Sequence, residues 1–272
     1  NNVRVDTIGS GSGGYDVIVR DAGGNRFIIR VSTQAIAPQA FWQVGQFYDI
    51  VGTLAMFNNN PQVKIRSGAD VAATGTLPFA IGQARTLAAG TQVTVTGVVT
   101  AGVGVFSTNA NSNQMNVQDP TGGILVLQLP LAAGYATGDS VRVTGTLQLS
   151  AGELVITGNP TVTVISSSRP LPPAITISAQ RVAAHTATDP LQGSLVRVEN
   201  VRVTEVGAGS GGYNVTAVGP DGATIVIRVS LQSIAPQSFW TVGNTYTVTG
   251  TLSQFNGAQV KVRSAADIIA GS

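Results

Sequence analysis

Apolar and polar residues alternate along most of this chain. In SVRVTGTLQLS (140–150), ELVITG (153–158), TIVIRVS (224–230) and SLVRVENVRVTEV (194–206), Val, Ile or Leu recurs at nearly every second position. That is the period of a β-strand with one face in a core. Turn-forming clusters punctuate the runs, as at Pro120-Thr121-Gly122-Gly123 and Pro220-Asp221-Gly222. Alternation interrupted by turn residues at this spacing predicts an all-β protein.

The pattern repeats. IRVSTQAIAPQAFWQVG (29–45) and IRVSLQSIAPQSFWTVG (227–243) agree at thirteen of seventeen positions. The register holds from Asn2/Asn200 to Phe57/Phe255, then slips by one residue where FNNNPQVKIRS faces FNGAQVKVRS. That slip belongs at a hairpin tip. Asn256-Gly257 is the favoured pair for a two-residue type I′ turn, and Asn58–Pro61 is expected to form a longer loop there. A third, more distant copy is marked by VGQFYDIVGTL (44–54), TGDSVRVTGTL (137–147) and VGNTYTVTGTL (242–252). Gly52, Gly145 and Gly250 would bend their strands in that shared pattern.

Each repeat offers five strands, with a long first strand and a connector between the third and fourth. GTQVTVTGVVTAG…NQMNVQDPTGGILVLQL…GDSVRVTGTLQLSAGELVI resembles the OB-type domains of extracellular bacterial nucleases and other exported multidomain proteins. The resemblance implies small five-stranded barrels that serve many partners as accessories. Three tandem OB-fold-like barrels are expected at 1–72, 78–166 and 174–272. SSSRPLPP (166–173) would be a Pro-stiffened linker between the last two. APQAFW and APQSFW fall on the connector, where Phe41/Phe239 or Trp42/Trp240 would plug a barrel end.

Aligned on the third repeat, the first begins opposite Glu199, so a counterpart of SLVRV (194–198) is not in the sequence. Two expectations compete. Either the sequence is a processed or truncated piece, or another subunit supplies the strand and copies chain head to tail. The interface would then involve Asn1, Asn2, Val3, Arg4 and Val5, with the tail residues Ile268 and Ile269 as a poor match for a donor.

Composition narrows the function. Only 10% of residues are charged and the formal net charge is +2, against about 25% charged in ordinary proteins. The pI of about 9.2 therefore reflects few acids and is no footprint of nucleic-acid binding. There is no Cys, and no apolar run reaches the length of about 18 residues that a spanning helix requires. Low charge with much Thr, Ser, Asn and Gly points to an extracellular or cell-surface bacterial protein.

Candidate chemistry is thin. His185 stands alone and is expected on an exposed loop near Asp189, and Glu occurs only at 153, 199 and 205. No catalytic set, cofactor or metal site is expected. The Asn-rich TNANSNQMN (108–116) lacks spaced carboxylates, and GSGSGG (9–14) and GAGSGG (207–212) read as hairpin loops, not phosphate cradles. Asn214-Val215-Thr216 fits the glycosylation sequon but falls on a strand. A nucleic-acid face would use Tyr15, Arg30, Lys64, Arg66, Tyr213, Arg228, Lys261 and Arg263, with cations on strands three and five. The second repeat keeps neither the KxR strand nor the Tyr, which favours ordinary solvated strand faces. The leading expectation is a self-associating structural protein that polymerises into a surface filament. The alternative is a nucleic-acid-binding accessory region of a secreted nuclease.

Overall fold

In a computed structural model, residues 3–10, 13–21, 23–75, 78–209 and 211–271 are described. The chain divides into two compact units, Asn1–Leu77 and Pro78–Ser272. The first holds one repeat; the second holds the other two.

The first repeat contains β1 (Val3–Ile8), β2 (Tyr15–Arg20), β3 (Arg26–Val31), β4 (Phe47–Ile50), β5 (Thr53–Phe57), β6 (Asn60–Lys64) and β7 (Val71–Gly75). They form a sheet in the order β5-β6-β3-β2-β1-β4-β7. The second repeat has a short helix α1 (Ile81–Ala84), then β8 (Gln92–Ala101), β9 (Asn113–Asp119), β10 (Gly122–Leu129), β11 (Ser140–Ser150) and β12 (Glu153–Ser166). These five strands close into a barrel. The third comprises β13 (Ile175–Thr176), α2 (Ala179–Ala183), β14 (Leu195–Gly209), β15 (Gly212–Val218), β16 (Thr224–Val229), β17 (Thr245–Gln254), β18 (Ala258–Lys261) and β19 (Ile268–Ala270). Here β14 pairs with both β15 and β17, which completes a ring. The fold is all-β and its barrels are OB-like, although the helices precede the first strand.

Alternation produces the core. In β15 the inward Tyr213, Val215 and Ala217 are fully buried while Asn214 and Thr216 turn outward, and β2 repeats this with Tyr15, Val17 and Val19. Tyr15 and Tyr213 are thus core residues and not bases' stacking partners, which corrects the sequence expectation. Each hydroxyl donates to a carbonyl in the connector, Ala37 or Ala235, and accepts from the indole Nε1 of Trp42 or Trp240. The connector itself makes a 3-10 turn, Gln39–Phe41 or Gln237–Phe239, and it is Trp, not Phe, that plugs the barrel. Trp42 and Trp240 are buried, whereas Phe41 and Phe239 stay well exposed.

The hairpin tips reverse expectation. Phe57 faces Asn60, so Asn58-Asn59 form the two-residue turn, both with positive φ. Gln254 faces Ala258, so Phe255-Asn256-Gly257 make a three-residue loop. Gly250 is needed for close approach, because a Cβ there would collide with the Lys261 carbonyl on β18.

The first strand separates the first repeat from the others. Among the described residues β1 pairs with β4 at Val3↔Tyr48 and Arg4↔Phe47. In the third repeat the same pairing continues from Val201↔Tyr246 back to Leu195↔Thr251. β5 lies at the edge of its sheet, and Leu54 is 77% exposed, while its counterpart Leu252 is 0%. Val3 and Val5 pack into the first core and Arg4 bonds Asp6, so these residues do not form an outer interface. The tail is no donor either, because Ile268 is buried in its own sheet and β19 pairs with β17, although Ile269 is exposed. Asn1 and Asn2 lie outside the described residues.

Equal truncations should therefore have unequal costs. Leu252→Ala is expected to lose about 2–5 kcal/mol through a buried cavity, and Leu54→Ala to stay within about 0.5 kcal/mol. Urea unfolding of the two variants checks this.

Candidate functional site: the cationic strands and the barrel-to-barrel interface

In an antiparallel or parallel ladder, side chains facing one way from adjacent strands form a row across the sheet. Asp16 lies beside Arg30, and Arg30 beside Lys64. The matching row in the third barrel is Asn214, Arg228 and Lys261. The expected cations are thus brought together on each barrel, but the tyrosines are not among them.

Most of these cations are already engaged. Arg30 pairs with Asp16 at 3.0 Å, and Arg228 Nη1 donates to Asn214 Oδ1 at 3.2 Å. That bond places Asn214 on a pleated, hydrogen-bonded strand, a poor setting for glycosylation. Arg66 holds Asp70 through Nε and Nη2, and its guanidinium lowers the Asp70 carboxyl to about 2. Arg263 holds Asp267 in the same way.

Third-barrel cations do something further: they grip the second barrel. Arg263 Nη1 donates to the Thr100 carbonyl at 3.0 Å. Thr100 sits at a bulge in β8, where pairing with β9 skips from Val99 to Ala101, and a bulge turns a carbonyl out of the ladder. Lys261 Nζ lies 4.3 Å from the Phe106 ring centroid, a cation–π contact. Lys261 is buried, unlike the outward residue expected; burial pushes its ammonium down to about 8, with Glu153 opposing and Arg228 adding to the shift.

Other contacts across this interface were not foreseen. Arg85, at the end of α1, donates to the carbonyls of Asp189 (2.6 Å) and Gln192 and to Gln192 Oε1. Gln192 returns across the gap to both backbone groups of Leu154. Gln118 Oε1 accepts Leu195 N at 2.8 Å, and Glu153 Oε1 accepts Gln254 N at 2.8 Å. Gly123 and Gly193 touch so closely that a Cβ on Gly123 would overlap the Gly193 carbonyl. A scarcity of charge was the available signal: in a chain with three Glu, one at a hairpin tip has a specific partner.

His185 is buried, not exposed on a loop, with Nδ1 3.1 Å from Asp189 Oδ2. Burial raises the Asp189 pKa, but Arg181, the Leu191 amide and His185 outweigh it and hold the carboxylate well below its usual range. The cluster anchors the loop that Arg85 grips. In the Asn-rich loop, Asn109 and Asn113 bond the loop's own backbone. Among the described residues no group of three or more His, Cys, Asp or Glu could hold a metal, and no helix is long and apolar enough to cross a membrane. Above the third-barrel row, the two barrels enclose a cleft of about 880 Å³ lined by Phe106, Gln114, Glu153, Arg228, Phe255 and Lys261 among others.

No family model and no curated protein matches the chain. Among solved structures it is similar to the Ifi202 HINa domain in complex with 20-bp double-stranded DNA, with 13% identity over 60% of this chain and 94% of that one and a TM-score of 0.28. A murine DNA-binding protein bound with double-stranded DNA gives 13%, 61%, 98% and 0.30. A replication protein A heterotrimer bound to single-stranded DNA gives 9%, 100%, 93% and 0.25. At these identities and scores the likenesses carry no inference about partner or activity.

Two measurements probe the interface. Arg85→Ala strips several buried carbonyls of their donor, so unfolding of the second and third barrels should lose about 2–4 kcal/mol and change from one transition to two in calorimetry. For Lys261 burial holds the folded pKa at about 8, below the ordinary lysine value of 10.5. The unfolded chain then binds more protons between these values, so stability should rise as pH climbs from 8 to 10.5. The gain should be of the order of 3 kcal/mol, and Lys261→Met should flatten it in urea titrations across that range.

Proposed function

We propose that this chain is a non-catalytic structural protein, extracellular or on a bacterial cell surface, whose barrels build an assembly by docking on one another. The observation that carries this reading is the use made of the third barrel's cationic strand. Lys261 and Arg263 face the second barrel, one beneath Phe106 and one on the Thr100 carbonyl. The same strand type is retained in the first barrel, where Lys64 is exposed and the Arg66 side chain is 66% exposed. A chain so poor in charge gains little long-range attraction for a polyanion, while polar side chains bonded to backbone carbonyls suit subunit packing.

A second reading rests on that first-barrel row, with Lys64 and Arg66 exposed and Arg30 half-buried against Asp16. It makes the chain a nucleic-acid-binding accessory region of a secreted nuclease, in keeping with the resemblance of the second repeat to exported OB-type domains.

Salt separates the two. Under the leading reading, the protein at micromolar concentration should form elongated multimers in negative-stain electron microscopy, little changed between about 50 and 200 mM salt. A labelled single-stranded oligonucleotide should show no anisotropy change. Oligonucleotide binding that falls steeply with salt, and disappears when Arg30, Lys64 and Arg66 are all changed to Gln, would hand the function to the second reading.

A further inference from the structure

The contact between the second and third barrels is a template for a contact between copies. The third barrel's side is the β17–β18 hairpin and the residues after it, where Gln254 N and Arg263 Nη1 donate and Lys261 faces Phe106. The first barrel carries the same side on β5–β6: Met56 stands for Gln254, Lys64 for Lys261 and Arg66 for Arg263. Arg263, engaged by Thr100, has a side chain 14% exposed, against 66% for Arg66. On the same strand pair Leu54, Met56 and Phe57 expose 77, 65 and 65% of their surface, Met56 and Phe57 at its tip.

The second barrel's side of the template, which supplies the accepting oxygens, consists of the β8 bulge at Thr100 and the β11–β12 tip at Gly152-Glu153. The third barrel repeats both. Its β14 skips from Val203 to Glu205 in pairing with β15, which puts Thr204 at the same bulge. Its tip is Phe255-Asn256-Gly257-Ala258, aligned with Ser150-Ala151-Gly152-Glu153 through the matched Gly250 and Gly145. Glu205 and Phe255 are both exposed.

We propose that the third barrel of one copy docks on the first barrel of a second copy as the second barrel docks on the third. The Thr204 carbonyl then receives Arg66, with Glu205 beside this guanidinium. Ala258 stands where the template has Glu153, and Phe255, at the start of the same tip, packs on Met56, which stands for Gln254. Charge and hydrophobicity are complementary at both points, so the occupant is a second copy of this chain. Different surfaces meet, so the contact is heterologous and propagates unless its rotation closes a ring. This inference deepens the assembly reading above and rests on it.

Complementation of variants tests it. Met56→Asp and Phe255→Asp both alter exposed residues, and unchanged circular dichroism and melting would verify their folds. Each alone should be monomeric by light scattering at concentrations where the wild-type chain assembles. Mixed in equal amounts they should form dimers that grow no further, because one intact Met56 face meets one intact Phe255 face and the remaining ends are blocked. Glu205→Arg should weaken wild-type association about tenfold by setting like charges together. Assembly indifferent to Met56→Asp and Phe255→Asp would overturn this docking mode but leave the assembly reading standing. A mixture that stays monomeric would overturn it likewise. A wild-type chain that never associates would remove both.

Discussion

The first strand of each barrel must pair on both sides, and much of the molecule follows from that requirement. In the third barrel β14 is long enough to bend and serve two neighbours, β17 with its first half and β15 with its second. Each ladder bond it makes would otherwise be a backbone group with no partner in a dry place. The bend requires small or absent side chains where strands approach, as at Gly250 against the Lys261 carbonyl. It also requires a bulge where the register changes, and that bulge supplies the carbonyl by which one barrel holds the next. Closure and docking thus share one structural cause.

Charge is the second constraint. A chain with few ionic groups uses them locally: Arg66 and Arg263 bind carboxylates four residues away, and Arg181 and His185 converge on Asp189. Arg85 shows why this matters between barrels. A guanidinium offers five donors in a fixed plane, so one side chain can satisfy several carbonyls that close packing would strand. Gly123 and Gly193 bring the two backbones into contact there, and Arg85 with Gln192 bonds the carbonyls around them. Replacement of Asp16 by Asn214 between the first and third rows fits the same logic. Next to a buried Lys261 and an Arg228 already bonded to the amide, a carboxylate would have to be desolvated as well.

Much of this was legible in the residues. Strand runs, turns, the duplication and the OB-like architecture follow from period-two alternation and internal identity, which are local signals. Tip geometry was not, because Asn-Gly favours a two-residue turn only if the flanking register allows it, and the slip beside Gln254 and Ala258 does not. The tyrosines misled for a similar reason. An aromatic on a strand points in or out according to its parity, and Tyr15 and Tyr213 share the parity of the buried valines. Lys261 could not be placed from sequence, since Phe106 and Glu153, which lie against it, are far away along the chain.

The two related barrels therefore differ more in surroundings than in sequence. Phe106 and the Thr100 bulge cover the third barrel's cationic strand, whereas the first barrel presents that strand with Leu54, Met56 and Phe57 beside it. Apolar side chains at a hairpin tip cost little when isolated, but an apolar tip on a strand pair that carries a guanidinium at its other end is a directional surface. Position along the sheet fixes what can meet it: a bulge carbonyl at one end and a hairpin tip at the other, separated as they are on a barrel of this size. A repeated fold carries both halves of that arrangement on every unit, so the specificity lies in which halves a neighbour leaves uncovered.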